Sequence, residues 1–169
     1  MSQAIVYANG HLALGGQRWP CSLGRAGVSA RKEEGDGATP AGVLPLRRVL
    51  YRADRVAIPV AAMPREPIGA RDGWCDDPSH ADYNRPVPLP HSGRVEELWR
   101  ADPLYDVVGV LGWNDAPVER GRGSAIFLHV AQPDYGPTEG CVALRLRDLL
   151  ALLRAGVTSL LVTAALLRE

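Results

Sequence analysis

The sequence predicts a single mainly β domain with two short helices and two long loops. Three observations carry that prediction. The 169 residues suit one globular unit spanning 1–169. Gly 18 and Pro 14 are too many for a helical bundle and call for frequent turns. Most apolar segments are short and bounded by turn residues, as strands are. A chain of this length buries roughly two-thirds of the surface its unfolded form exposes, so folding requires neither disulfides nor a structural metal.

The elements follow in order. AIVYANGHLAL places Asn9-Gly10 between two apolar runs, the strongest short-range hairpin signal. QRWPCSLG reads as a short strand interrupted by Pro20. Residues 24–45, rich in glycine, proline and charge, have neither helical nor strand period and read mostly as a long surface loop, of a length that is more often functional than idle. VLPLRRVLYRAD returns to strand character. AMPREPIGARDGWCDDPSHADYNRPVPLP is a second long irregular stretch, in which Trp74, Tyr83 and the prolines indicate a packed loop. VEELWRAD can form a short helix with Val95, Leu98 and Trp99 on one face. YDVVGVLGWN and SAIFLHV are near-continuous apolar runs, as buried central strands are. LRDLLALLRAG is a helix with an apolar stripe of Leu146, Leu149, Leu150 and Leu153, stopped at Gly156. TSLLVTAAL closes the chain as a strand.

Composition excludes several function classes. Nineteen Lys plus Arg balance 19 Asp plus Glu, which leaves no electrostatic footprint for nucleic acid. The longest uncharged apolar run, TSLLVTAALL, is about half the length of a spanning helix. Ahead of Arg18 there is no Lys or Arg, and only a four-residue apolar run precedes Asn9-Gly10, so no signal peptide is read. The expected location is therefore cytoplasmic, or periplasmic if an export signal has been removed. Three widely spaced cysteines argue against a disulfide framework.

Cys141 is the sharpest chemical candidate. Gly140 before it allows a close backbone approach and frees N–H groups to face an oxyanion. His129 ends the strand AIFLHV twelve residues earlier and could act as the base for the thiol. By spacing alone, a buried free cysteine and a strand-end histidine remain the alternative. Cys75 has His80 and several Asp nearby, which falls short of the four-ligand zinc pattern, so no metal or other cofactor is expected. Asp76 and Asp77 then serve as turn or salt-bridge residues. Cys21 reads as a small buried hydrophobe, His11 as solvent-facing, and His91 as either a cleft-lining or an exposed loop histidine. RKEEGDGATPAG lacks a terminal GK[ST], and Glu33, Glu34 and Asp36 would repel phosphate.

Four segments in order, RKEEGDGATPAG, GWCDDPSHADYNRPV, EELWRADPLYDVVGVLGWN and SAIFLHVAQPDYGPTEGCVAL, together resemble the L,D-transpeptidase catalytic domain (YkuD-type) family, in its subgroup of short proteins. The resemblance implies a β-sandwich or barrel with cleft-forming loops. It also implies a cysteine enzyme attacking the meso-diaminopimelate to D-alanine bond of peptidoglycan stem peptides. By position, Cys141 is the nucleophile and His129 its base, oriented through a backbone carbonyl near Val130, while Gly140 and the Cys141 N–H form the oxyanion hole. The GDGATPAG loop helps shape the cleft. Thr138, Glu139, Asp76 and His91 are expected around the substrate. Many family members carry a histidine two residues before the cysteine and an arginine two residues after it, where this chain has Glu139 and Ala143. Arg145, Arg85 or Arg122 are then the candidates for a carboxylate fork. A carboxylate at Glu139 would raise the thiol pKa.

The implied product depends on the acceptor of the thioester. An amine gives a crosslink or an exchanged stem, and water gives a tripeptide. Since no export signal is read, hydrolysis leads: an L,D-carboxypeptidase acting on soluble muropeptides during recycling, with transpeptidation as the alternative. Two rival classes are an inactive peptidoglycan-binding module and a metal-dependent hydrolase built on Cys75, Asp76 and His80.

Overall fold

The computed structural model describes residues 2–169 and is mostly β, with one helix. Strands β1 (Ser2–Tyr7) and β2 (His11–Leu14) form the expected hairpin, and Gly10 takes the left-handed backbone that the turn requires, at φ +81°. β3 (Gln17–Pro20) continues it antiparallel. Within the first long loop, β4 (Val28–Ser29) and β5 (Thr39–Pro40) make a two-residue parallel pair. The second irregular stretch is also more ordered than its sequence suggests. After the long β6 (Gly42–Tyr51) come β7 (Arg65–Pro67), β8 (Asp72–Cys75) and β9 (Pro86–Pro88).

VEELWRAD is not a helix. Val95–Glu97 form β10, which pairs antiparallel with β8 and completes a small sheet of order β10-β8-β9. The apolar positions fit either period, and an isolated helix of two turns carries the full nucleation cost. Pairing with β8 satisfies the backbone directly, and Leu98 is buried with its N–H donated to Asp72 O at 3.0 Å.

The remaining elements are β11 (Val107–Leu111), β12 (Phe127–Val130), β13 (Val142–Leu144), α1 (Leu146–Arg154) and β14 (Val157–Thr163). Every residue of β11 and β12 is buried, as continuous apolar runs demand. The main sheet runs β13-β12-β11-β6-β14-β1-β2-β3, with β7 beside β6. Just past β3, Ser22 exchanges backbone hydrogen bonds with Ala143 at 2.8 and 3.0 Å. That bridge brings the two ends of the sheet together into a nearly closed barrel and covers an otherwise open edge. α1 packs against β12, β13 and β14 and buries Leu149, Leu152 and Leu153. Leu152 thus takes the place expected of Leu150, which is half-buried with Leu146 at the margin of the stripe. No helix among the described residues is long and apolar enough to cross a membrane.

Two apolar clusters result. The larger fills the barrel around Leu12, Leu44, Leu128, Leu144 and Leu160. Each such leucine contributes on the order of 2 kcal/mol by leaving water. The smaller is aromatic: Trp74 and Tyr105 stand edge-on to Phe127 at centroid distances of 5.1 and 5.8 Å, and Cys141 packs among them.

Candidate active site

The parallel pairing of β12 and β13 sets His129 opposite Ala143 and Leu128 opposite Val142. Side chains alternate along a strand, so His129, Ala143 and the preceding Cys141 share one face. That face floors a cavity of about 420 Å³ lined by both residues, with Lys32, Glu96, Arg100 and Tyr105 around them.

Cys141 is 8% exposed. Its sulfur accepts a hydrogen bond from Phe127 N–H at 3.3 Å, and the thiol donates to Ala125 O at 3.3 Å. Burial pushes the thiol up to about 12, with Glu96 adding to the effect and the Phe127 amide and Lys32 opposing it. The resting group is therefore a thiol. Ala125 is itself held in the left-handed region, at φ +53°. Asn84 fixes it there: its carbonyl accepts from Ala125 N–H (3.1 Å) and Trp74 Nε1–H (3.0 Å), while its amide donates to Trp113 O and Asn114 O. One asparagine thus ties three loops together behind the sulfur.

His129 is buried, and its Nδ1–H donates to Val130 O at 2.9 Å. With Nδ1 as the donor, Nε2 carries the basic lone pair. Burial pushes this imidazole down to about 4 against the pull of the Val130 carbonyl. The Tyr105 ring stands edge-on to it at 5.3 Å, and the Tyr105 hydroxyl donates to Glu96. Desolvation holds Glu96 above the usual carboxylate range despite that bond. A neutral thiol and a neutral imidazole on one cleft floor can carry an acyl group through a thioester.

Gly140 is required for backbone reasons. Its φ is +140°, and an added Cβ would lie 2.8 Å from Ala38 O. Its N–H donates to Thr138 Oγ1 at 3.1 Å, so this amide is engaged locally in the resting site. The Thr138 hydroxyl in turn donates to Cys141 O at 2.7 Å, with Thr39 on the same carbonyl at 3.4 Å. Thr138 lines the cleft but works as a clamp on the nucleophile's backbone. Gly140→Ala is expected to destabilise the fold by about 1–3 kcal/mol, the usual cost of a strained backbone position. The check is a lower midpoint in urea unfolding at unchanged slope.

The other expected substrate-contacting residues divide. Asp76 and Glu139 line the cleft. Glu139, however, points outward to Arg25 at 3.1 Å with its side chain 82% exposed, so the carboxylate felt by the thiol is Glu96 instead. Asp76 is paired with Arg94 at 3.1 Å. Three residues lie away from the cleft. Arg145, at the N-terminal boundary of α1, is exposed with its guanidinium 5.1 Å over the Tyr135 ring and makes no capping hydrogen bond. Arg85 lines a separate hollow with Trp113 and Asp115. His91 bonds Asp82 at 2.9 Å and lies against the His80 ring. Arg122, a further candidate fork, pairs with Glu119 at 3.1 Å. His11 is half-buried, with Nδ1 lacking a partner among the described residues, rather than solvent-facing.

Sequence reasoning missed Lys32, Glu96, Tyr105 and Arg100. Lys32 is almost wholly buried at the active-site loop, paired with Asp36 Oδ1 at 2.6 Å, and its Nζ would lie 3.3 Å from a Cβ on Gly140. Its signal was the lone lysine in a loop that was tested against a phosphate pattern and expected, by the resemblance, to shape the cleft. Glu96 and Arg100 sat in a segment read as a helix.

The chain belongs to the YkuD family of L,D-transpeptidase catalytic domains, whose family model matches residues 2–159. Solved structures similar to it include an L,D-transpeptidase from Mycobacterium smegmatis (11% identity, TM-score 0.46, covering 96% of this chain and 58% of that one). Two others are L,D-transpeptidase 1 of Mycobacterium tuberculosis (12%, 0.40, 95% and 60%) and the helical cell shape determining protein Pgp2 of Campylobacter jejuni (12%, 0.46, 97% and 48%). The chain therefore spans 48–60% of the length of these three structures. No curated protein matches its sequence.

Proposed function

We propose that this chain is a cysteine acyl-transfer enzyme acting at the meso-diaminopimelate to D-alanine bond of peptidoglycan stem peptides, and that it passes the acyl group to water as an L,D-carboxypeptidase. The observation that carries the reading is that His129 on β12 and Cys141 just before β13 fall on one face and line one cavity, with Nδ1 donating to Val130 O so that Nε2 is the base.

The Cys141 sulfur attacks the diaminopimelate carbonyl while its proton passes to His129 Nε2. As the tetrahedral intermediate collapses, that proton goes to the departing D-alanine nitrogen, leaving a thioester. Water, losing its proton to Nε2, then cleaves the thioester and restores the thiol. Arg100 supplies the cation that the absent arginine beside Cys141 would have given. It lines the cleft 5.2 Å over the Tyr105 ring and is held by Asp102 at 2.6 Å. A guanidinium so fixed suits a substrate carboxylate. Arg100→Ala is expected to raise KM about tenfold or more with a smaller change in kcat, measured by tripeptide release.

A cleft of about 420 Å³ has room for one stem terminus with its water, as hydrolysis requires. One observation favours the second reading, transfer to an amine. A shallower hollow formed by Glu33, Pro78, Arg94 and Arg120 shares Glu34 with the cleft and could receive an acceptor stem. Mass spectrometry of disaccharide tetrapeptide and free tetrapeptide, with and without D-methionine, separates the two. Tripeptide as the main product in all samples supports the carboxypeptidase. Exchanged or dimeric products in excess make it a transpeptidase. No turnover in any sample leaves a binding module.

A further inference from the structure

We propose that Cys75, His80 and His91 form a binding site for one divalent transition-metal ion, best suited to zinc, separate from the thiol cleft. One ligand atom from each of the three residues lies within 4.8 Å of the others. The donor set is one sulfur and two imidazoles, the borderline-soft combination that zinc takes in tetrahedral sites. Sequence spacing concealed it, because the third member, His91, comes from beyond the turn that follows β9 and only the fold returns it to Cys75.

The surroundings are those of an orienting shell. The two imidazoles lie against each other with centroids 4.4 Å apart. His91 Nε2 bonds Asp82 Oδ2 at 2.9 Å, and His80 Nε2 bonds Ser92 Oγ at 3.0 Å. A carboxylate on the far nitrogen is the usual means of aiming a metal-bound imidazole. Nδ1 of His80 accepts from Asp82 N–H and Nδ1 of His91 from Gly93 N–H, both at 3.0 Å, so Nδ1 holds the lone pair of each ring and a backbone amide engages it. Ligation uses one nitrogen of each ring in place of one of these hydrogen bonds. Cys75 loses its proton to solvent as the bond to the metal forms. A water completes four ligands. Cys75 is fully buried at the end of β8 while both histidines are partly exposed, which leaves an entry path from the histidine side.

The consequence is mechanical. A metal here fastens the 75–91 loop to β8, and that loop carries Asn84, whose bonds hold Ala125 against the Cys141 sulfur. The test is metal binding itself. The purified protein is exposed to zinc(II), freed of excess by gel filtration and measured by elemental analysis. In parallel it is titrated with cobalt(II), whose thiolate charge-transfer band reports sulfur ligation. About one equivalent of zinc per chain is expected, with a cobalt–thiolate band. Both should survive in Cys141→Ala and Cys21→Ala and vanish in the His80→Ala/His91→Ala protein. Absence of the cobalt band in the wild-type chain overturns the site, a result that needs no folded variant. Undiminished binding in the double histidine variant, or loss in Cys141→Ala, overturns it as well. The Cys141 reaction stands or falls separately on the tripeptide assay.

Discussion

Cys141→Ala is expected to lower tripeptide release by at least about 10⁴-fold, because no other described thiol reaches the cleft and the thioester has no second route. The fold should survive the change. Removing the sulfur leaves Phe127 N–H and Ala125 C=O without their side-chain partner, at a cost of about 1–3 kcal/mol. Cys141→Ser keeps both hydrogen bonds within reach and separates reactivity from packing: a stable, inactive serine variant is the expected pairing. Intact-mass measurement after incubation with a carbapenem gives an independent reading, with one adduct expected on Cys141, because a strained β-lactam carbonyl acylates a nucleophilic thiol as the stem carbonyl would. Adduct formation in the alanine variant would count against the assignment.

His129→Gln should cost about 10²–10⁴-fold in the same assay, the usual worth of a general base, and its pH behaviour is the sharper test. With the imidazole pushed down to about 4, Nε2 is unprotonated throughout the neutral range. Acylation should then hold steady from pH 7 to 5 and fall only near pH 4. A kinetic pKa near 6.5 would instead mean that His129 titrates as an exposed imidazole. The same burial makes a stability prediction. The unfolded chain takes up this proton below its ordinary pKa of 6.5, while the folded chain resists until about 4. Stability from this group is therefore fully present above pH 6.5 and is lost as pH falls to about 4, by about 3 kcal/mol. Urea unfolding at pH 7 and pH 4 should show that slope in the wild type and its reduction in His129→Gln, where nothing titrates at this position.

Much of this was legible in local sequence. The Asn9-Gly10 hairpin, the continuous runs that became β11 and β12, the helix stopped just before Gly156, and the Gly140-Cys141 junction all depend on neighbours within a few residues. Short-range chemistry is enough to specify them. The order within the second long loop was not legible, since β7, β8 and β9 are three or four residues each and are held by partners far along the chain. The segment holding Glu96 and Arg100 had apolar spacing that suits a helix as well as a strand, and β8 decided between them.

By itself the sequence determined a mainly β chain with a glycine–cysteine junction and a strand-end histidine upstream, because those features follow from turn chemistry, apolar periodicity and residue type; that the two residues act together was implied by the family resemblance alone. Only the tertiary structure decided which charges reach the thiol. Glu139 is two residues away but turns out to Arg25, whereas Glu96, 45 positions earlier, is brought in by the pairing of β10 with β8. It also decided that both members of the pair rest neutral, since the balance between desolvation and hydrogen bonding depends on what is packed around a group rather than on what precedes it in the chain.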